Sequence, residues 1–293
     1  GWDSHNSLTM AIDNNDQIHL CGNMHVDPLI YFRTEHPLKI GSFERLDRMT
    51  GELEDRCTYP VFMRGIDGEL IFRYRNGMSG NGADYYNVYD PRTRKWTRLL
   101  NTPLLDGEDL MNAYAGMPRR GPDGAYHMVW MWRDTPDCST NHDLSYARSQ
   151  DLVNWETGSG KWLKLPITLG SDAIVDPVPA GGGLINMTQS LGFDANNCPV
   201  IGYQKYDSLG RTQAYNARLE GEEWKIYQTS DWDYRWEFSG GGSIAANIQI
   251  GEVKVEADGG LSQQYWHIKE GTGIWKLEEG KLKPIGTYPS PKE

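Results

Sequence analysis

The sequence predicts an all-β chain, a β-propeller built from about five repeats of a strand-rich unit. Three observations carry that expectation. A tight turn followed by a short apolar or aromatic strand recurs along the chain. A strand bearing Tyr, a polar turn and then Trp accompanies several of these turns. No segment holds the i, i+3, i+4, i+7 apolar stripe of a long helix.

The first element appears as Asn14-Asn15-Asp16-Gln17-Ile18-His19-Leu20 and again as Asp67-Gly68-Glu69-Leu70-Ile71-Phe72. It returns as Asp123-Gly124-Ala125-Tyr126-His127, as a degenerate Asp194-Ala195-Asn196-Asn197-Cys198, and as Asp258-Gly259-Gly260-Leu261. Asp-Gly between alternating strands is a strong hairpin signal, because glycine accepts the positive φ of a tight turn. From Asp16 to Asp67, Asp123, Asp194 and Asp258 the steps are 51, 56, 71 and 64 residues. Propeller blades of roughly 40–50 residues plus loops fit that period. A β-sandwich, the runner-up, also offers many short strands but does not explain the repeat. The second element reads Tyr86 to Asp90 with Trp96, Tyr146 to Ser149 with Trp155, and Tyr215 to Arg218 with Trp224. Core packing between neighbouring sheets is the expected role of these tryptophans.

Composition narrows the function. The 293 residues carry a formal net charge of −11, which argues against nucleic acid as the partner, since that calls for a basic footprint. An anionic small substrate then needs a local basic pocket. No apolar run reaches the roughly 18–20 residues that span a bilayer. The four cysteines, Cys21, Cys57, Cys138 and Cys198, form no CxxC; one or two disulfides are compatible with the spacing, and none is specified. The sequence opens on Gly1-Trp2-Asp3-Ser4-His5, without initiator Met or signal-peptide pattern. The expectation is a processed chain or one trimmed from something longer.

Candidate chemistry clusters in the first three repeats. His5 and His25 lie in polar loops at strand ends, where propeller loops converge. Tyr59 sits just before the second hairpin and Arg75 just after it, so both fall on one edge of the blade and can meet. Alternation puts Arg73 and Arg75 on one face and Tyr74 on the other; a solvated rim is the competing reading for the arginines. Asn112-Ala113-Tyr114 precedes the third hairpin as Tyr59 precedes the second. Ser79-Gly80-Asn81-Gly82 is a tight loop that lets a sugar approach the backbone, and it lacks the Lys-Ser/Thr of a phosphate loop. Cys138 and His142, with His127, form a possible zinc set, against the reading that His142 braces a loop. No GxSxG elbow supports a serine nucleophile.

Several of these strings resemble a family of sialidase-like-repeat propellers that includes the ulvan lyases. They are Asp3-Ser4-His5-Asn6-Ser7, Gly22-Asn23-Met24-His25, Tyr59-Pro60 with Arg75, Ser79-Gly80-Asn81-Gly82, Asn112-Ala113-Tyr114 and Asn141-His142-Asp143-Leu144. The resemblance covers roughly residues 1–160 and continues beyond as repeat pattern. It implies a lyase that cleaves a uronate-containing, sulfated polysaccharide by β-elimination. It assigns the general base to His5, a second active-site histidine to His25, the proton donor to Tyr59 and carboxylate neutralisation to Arg75. Tyr114, Asn6 and Asn112 fall among the substrate contacts. The chain is further expected to be a monomer, secreted or periplasmic in a bacterium, with no cofactor required for catalysis, a structural calcium or zinc left open, and neither nucleic acid nor membrane as partner. The family ring has seven blades; with about five repeats visible, residues 1–293 are expected to form a single propeller domain lacking upstream blades. Two alternatives remain: a rhamnosidase-type hydrolase acting on rhamnose–glucuronate linkages, and a non-catalytic sugar-binding propeller.

Overall fold

The computed structural model describes residues 6–289. Among them are 23 β-strands, two short 3₁₀ turns and no α-helix. Two compact units divide them. The first runs through Ala113 and takes in Asp151–Val153 and Lys164–Thr168; the second holds the rest.

The first unit contains two sheets. In one, β1 (Leu8–Ile12), β2 (Ile18–Gly22), β4 (Tyr31–Thr34) and β5 (Phe43–Leu46) are antiparallel neighbours in that order. The other runs β6 (Cys57–Arg64), β7 (Leu70–Met78), β8 (Asn81–Asp90) and β9 (Lys95–Arg98), with the short β3 (His25–Asp27) added beside β6. The unit boundary falls inside β10 (Asn112–Ala115). In the second unit, β12 (Tyr126–Arg133) and β13 (Asn141–Ser149) form the centre of a sheet edged by β11 (Arg119–Arg120), β14 (Trp155–Glu156) and β15 (Ile174–Asp176). Two four-stranded antiparallel sheets follow: β16 (Ser190–Phe193) to β19 (Glu223–Gln228), through β17 (Pro199–Tyr206) and β18 (Thr212–Glu220), and β20 (Ile248–Val255) to β23 (Pro284–Thr287), through β21 (Leu261–His267) and β22 (Gly271–Leu277).

Each of the five turn signals opens the hairpin it was expected to open. Gly68, Gly124 and Gly259 supply φ of +79°, +82° and +79°. Where glycine is missing, Asp16 and Asn197 take left-handed φ of +60° and +62°, which short polar side chains tolerate. A leading aspartate closes the turn by accepting backbone N–H groups. Asp13 accepts from Asn15 and Gln17, and Asp194 from Asn196 and Cys198, all at 2.8–2.9 Å. The fourth copy is therefore degenerate in sequence and intact in structure.

The tryptophans plug between sheets. Trp96 of β9 is buried and packs edge-on to His19 and Tyr31 of the first sheet, its Nε1 donating to Tyr31 Oη at 3.1 Å. In the second unit, Trp224 meets Tyr146 of the preceding sheet at 4.9 Å between ring centroids. The four cysteines are free thiols, so neither disulfide forms; Cys21 and Cys57 lie in one apolar cluster, where burial pushes both thiols up.

Two histidines are clamped alike beneath these sheets. His19 Nδ1 meets Tyr31 Oη at 2.7 Å and its Nε2 meets Asp13 Oδ2 at 3.3 Å. His127 Nδ1 meets Tyr146 Oη at 2.6 Å and its Nε2 meets Asp123 Oδ1 at 2.9 Å. Burial lowers both, His19 to about 4, against the pull of the aspartate. The folded His19 thus refuses a proton that the unfolded chain accepts below its ordinary value near 6.5. Stability is full above that value and falls as pH drops toward 4. Urea unfolding is expected to show His19 contributing a loss of about 2 kcal/mol between pH 7 and pH 5. His19→Gln should flatten that part of the pH profile; an unchanged profile would refute the neutral buried imidazole.

Candidate active site

The first unit brings Tyr59, Arg75, His25 and Asn112 onto the second sheet. Register builds the site. His25 of β3 lies opposite Thr58 of β6, Thr58 opposite Arg75 of β7, and Arg75 opposite Asp84 of β8. Residues paired across strands share a face, so the four form one row. Between Thr58 and Val61 the register of β6 shifts. This bulge adds a residue and re-aims what it carries. It carries Tyr59, which stands at φ +54°, a left-handed conformation that is unusual for an aromatic side chain. The result sets the Arg75 guanidinium 4.9 Å over the Tyr59 ring, so the two residues meet as the hairpin argument expects.

Arg75 is 1% exposed and Arg73 5% exposed. The solvated-rim reading is overturned: the sheet face they share is covered, and Tyr74 points the other way into the core. Arg73 Nε reaches Asp84 Oδ2 at 3.2 Å, with a second contact from Nη2. Burial pushes the Asp84 carboxyl up, and Arg73 first and Arg75 second pull against that. Arg73 and Asp84 are thus locked together, holding the ground under Arg75.

Gly82 explains the packing on the far side. A Cβ there would stand 2.6 Å from Asn112 Oδ1 and 2.9 Å from Arg75 Cδ. Asn112 is 1% exposed, opposite Gly82 across a parallel bridge, and donates from Nδ2 to Ala113 O at 3.0 Å. Its Oδ1 is buried without a hydrogen-bond partner among the described residues. Such an atom costs about 1–3 kcal/mol unless something fills it. Gly82→Ala is expected to push both side chains aside, costing about 1–3 kcal/mol of stability. Thermal melting checks it; an alanine variant as stable as the parent removes the close approach.

His25 is half-buried. Its backbone N–H donates to Asp27 Oδ2 at 3.0 Å, and Thr58 Oγ1 accepts from the Val26 N–H at 2.8 Å. Asn23 and Val26 flank it with φ of +59° and +65°. A β-branched residue in that region stores strain, and strain of this kind gathers at functional sites. Exposed Asn6 adjoins this corner through the next residue, Ser7, whose carbonyl accepts from Asn23 N–H at 3.0 Å. His5, the expected general base, lies outside the described residues. Ser79-Gly80 is a two-residue turn between Met78 and Asn81, the tight loop expected there.

Tyr114 belongs to the second unit, where it repeats the arrangement. The Arg133 guanidinium sits 5.3 Å over its ring. Arg133 is fixed by Thr135 O at 3.0 Å, Asn186 Oδ1 at 3.3 Å and Pro136 O. A guanidinium laid over a Tyr ring thus occurs in both units, Arg75 of β7 over Tyr59 of β6 and Arg133 of β12 over Tyr114 of β10. His142 braces the adjoining loops, with Nδ1 at 2.8 Å from Asp143 Oδ2 and Nε2 at 3.0 Å from Asp134 Oδ1. Burial opposes its charge, and the two carboxylates outweigh burial and hold it above its ordinary value. With both ring nitrogens of His127 and His142 engaged, the zinc set of Cys138, His142 and His127 is not assembled. Among the described residues no cluster of His, Cys, Asp and Glu is arranged for a metal.

Sequence reasoning missed Asp84 and Arg133, and it placed Gly82 in a tight loop rather than in β8 against Arg75 and Asn112. Arg133 was within reach, since it follows the Asp123-Gly124 turn on the next strand as Arg75 follows Asp67-Gly68. Asp84 carried no signal.

Repeated antiparallel sheets with interleaved tryptophans define a β-propeller. Solved structures agree: a family 25 polysaccharide lyase, an ulvan lyase bound to -[GlcA(1-4)Rha3S]-, superposes with a TM-score of 0.70 at 16% identity, covering 97% of this chain and 69% of that one. Polysaccharide lyase Uly1 gives 0.65 at 16% identity, covering 98% and 70%. The chain belongs to the BNR repeat-containing family, whose profile matches residues 1–232. In sequence it is 42% identical over 71 residues to the short-isoform ulvan lyase of Alteromonas sp. (strain LOR), which is 22% of this chain and 13% of that protein. Over 54 residues it is 43% identical to the long-isoform ulvan lyase of Pseudoalteromonas sp. (strain PLSV), 17% of this chain and 5% of that protein. These matches span a small part of the relatives' length.

Proposed function

We propose that this chain is the catalytic propeller of a polysaccharide lyase that cleaves a uronate-containing, sulfated polysaccharide of the ulvan type by β-elimination. The observation that carries the reading is the buried Arg75 guanidinium laid over a Tyr59 ring held in a bulge. The local sequence likeness to ulvan lyases supports it.

The chemistry needs these groups. The C5 proton of a uronate is α to a carboxylate and scarcely acidic while that carboxylate keeps its charge. A planar, permanent cation pairs with the carboxylate and steadies the enolate-like charge that grows on it. A neutral imidazole, His5 with His25 beside the substrate, takes the C5 proton. The C5–H electron pair becomes the C4=C5 double bond. The C4–O bond breaks, its pair leaves with the glycosidic oxygen, and the Tyr59 hydroxyl gives that oxygen a proton. Asn112 serves as a further substrate contact. A hydrolase would instead need two carboxylates flanking the bond, about 5–9.5 Å apart. In the row described, the carboxylate is Asp84, buried and tied to Arg73.

Incubation with ulvan and other uronate polymers tests the reading. Growth of ultraviolet absorbance, with product masses of 4,5-unsaturated uronates, is expected. Free rhamnose without absorbance would point to the hydrolase, and binding without turnover to a sugar-binding propeller.

A further inference from the structure

The second unit carries a cleft of about 650 Å³ that shares no residue with the Tyr59–Arg75 row. Its wall is the stretch 229–247, which has neither helix nor strand. Long connections without secondary structure are uncommon in compact domains and are usually functional when ordered. This one is anchored. Residues 230–239 alternate between inward and outward. Trp232 and Trp236 are buried, and Trp236 N–H donates to Thr212 Oγ1 at 2.8 Å. Farther on, Gly240 N–H donates to Asp137 Oδ1 at 2.8 Å and its carbonyl accepts from Cys138 N–H at 2.7 Å.

The residues facing the cleft are of a particular kind. The Arg235 guanidinium lies 3.9 Å over the Tyr206 ring. Its Nη1 donates to Gly210 O at 2.6 Å and its Nε to Glu237 Oε1 at 2.9 Å. Its direction is therefore preset while the side chain stays about half exposed. Ser139, Ser239 and Asn247 add polar groups, and Phe238 an apolar face. Gly183, at φ +89°, lets backbone lie against Tyr206, where a Cβ would come within 2.7 Å of the ring.

We infer that this cleft binds an uncharged saccharide unit. A cation and a carboxylate side by side offer donor and acceptor together, which matches a hydroxyl that both donates and accepts. A carboxylate or sulfate ligand would meet the like charge of Glu237, and an ammonium that of Arg235. A wholly apolar ligand would strip water from this ion pair and from the donor and acceptor sites it leaves over, at a desolvation cost. The apolar face of a sugar ring has Phe238 to cover it. The cleft is within the range of small-ligand sites. The site stands whether or not the chain cleaves the polymer.

Isothermal titration with carboxyl-reduced, desulfated ulvan oligosaccharide tests this, since it needs no turnover. Binding is expected to stay level between about 50 mM and about 500 mM salt, because no net charge is being screened. Arg235→Ser and Phe238→Ala should each weaken it at least about tenfold, while Arg75→Lys leaves it unchanged. Both cleft side chains are partly exposed, so unchanged melting curves confirm folded variants. Three results would each overturn the inference: no binding of the neutral oligosaccharide, full binding by both cleft variants, or loss of binding in Arg75→Lys. Should absorbance fail to grow on any polymer, only the lyase reading falls.

Discussion

Arg75→Lys is expected to lower kcat on the uronate polymer by about 10²–10³-fold with a smaller change in KM. Lysine keeps the charge and loses the fork that pairs two oxygens of a carboxylate at once. In the proposed elimination the charge it steadies grows only as the C5 proton departs, so the loss belongs to the transition state. Removing one well-placed donor from such a centre costs a comparable factor. The packing sharpens the expectation. Arg75 is fixed between the Tyr59 ring and the Gly82 backbone, so a cation without the fork has no freedom to find a new pose. A methyl-esterified substrate separates the effect from misfolding. Its carboxyl carries no charge, so the variant should lose much less on the ester than on the acid. Equal losses on both would mean that Arg75 shapes the site without neutralising the carboxylate.

What the sequence revealed of this site follows from how local the cause is. Hairpin turns are local: Asp-Gly and its Asp and Asn substitutes encode left-handed φ within four residues, and all five were legible. That Tyr59 and Arg75 meet was also legible, because the two ends of one hairpin share an edge whatever surrounds them. The shape of their meeting was not. A residue before proline is steered toward extended backbone, yet Tyr59, which precedes Pro60, stands at φ +54°. That strain is held by pairing on both sides of the bulge, a tertiary cause. Burial of Arg73 and Arg75 was hidden for the same reason: alternation tells which residues share a face and not whether the face is covered. Their carboxylate, Asp84, comes from β8, whose register is set by the turn at Ser79-Gly80. The possible disulfides failed because buried thiols pack well as small apolar groups, and spacing alone cannot tell that use from pairing. The zinc set is not assembled because both ring nitrogens of each histidine are engaged, those of His127 by Tyr146 and Asp123 and those of His142 by Asp143 and Asp134.

Tyr59→Phe isolates the other half of the chemistry. The ring is retained, so Arg75 keeps its support and the melting temperature should barely move. Only the hydroxyl is lost. A general acid contributes about 10²–10⁴-fold, and kcat on the polymer is expected to fall by that much with KM nearly constant, since the hydroxyl serves the departing oxygen more than the bound ground state. A uronate carrying fluoride at C4 supplies the decisive comparison. Fluoride leaves as an anion without help from a proton, so the variant should eliminate it within about threefold of the parent rate, whereas loss of Arg75 should still be felt, because carboxylate neutralisation precedes departure of either group. If the variant is as slow on the fluoride as on the polymer, the Tyr59 hydroxyl acts before C4–O cleavage. It would then be taking part in removal of the C5 proton, and the donor to the glycosidic oxygen would have to be sought elsewhere.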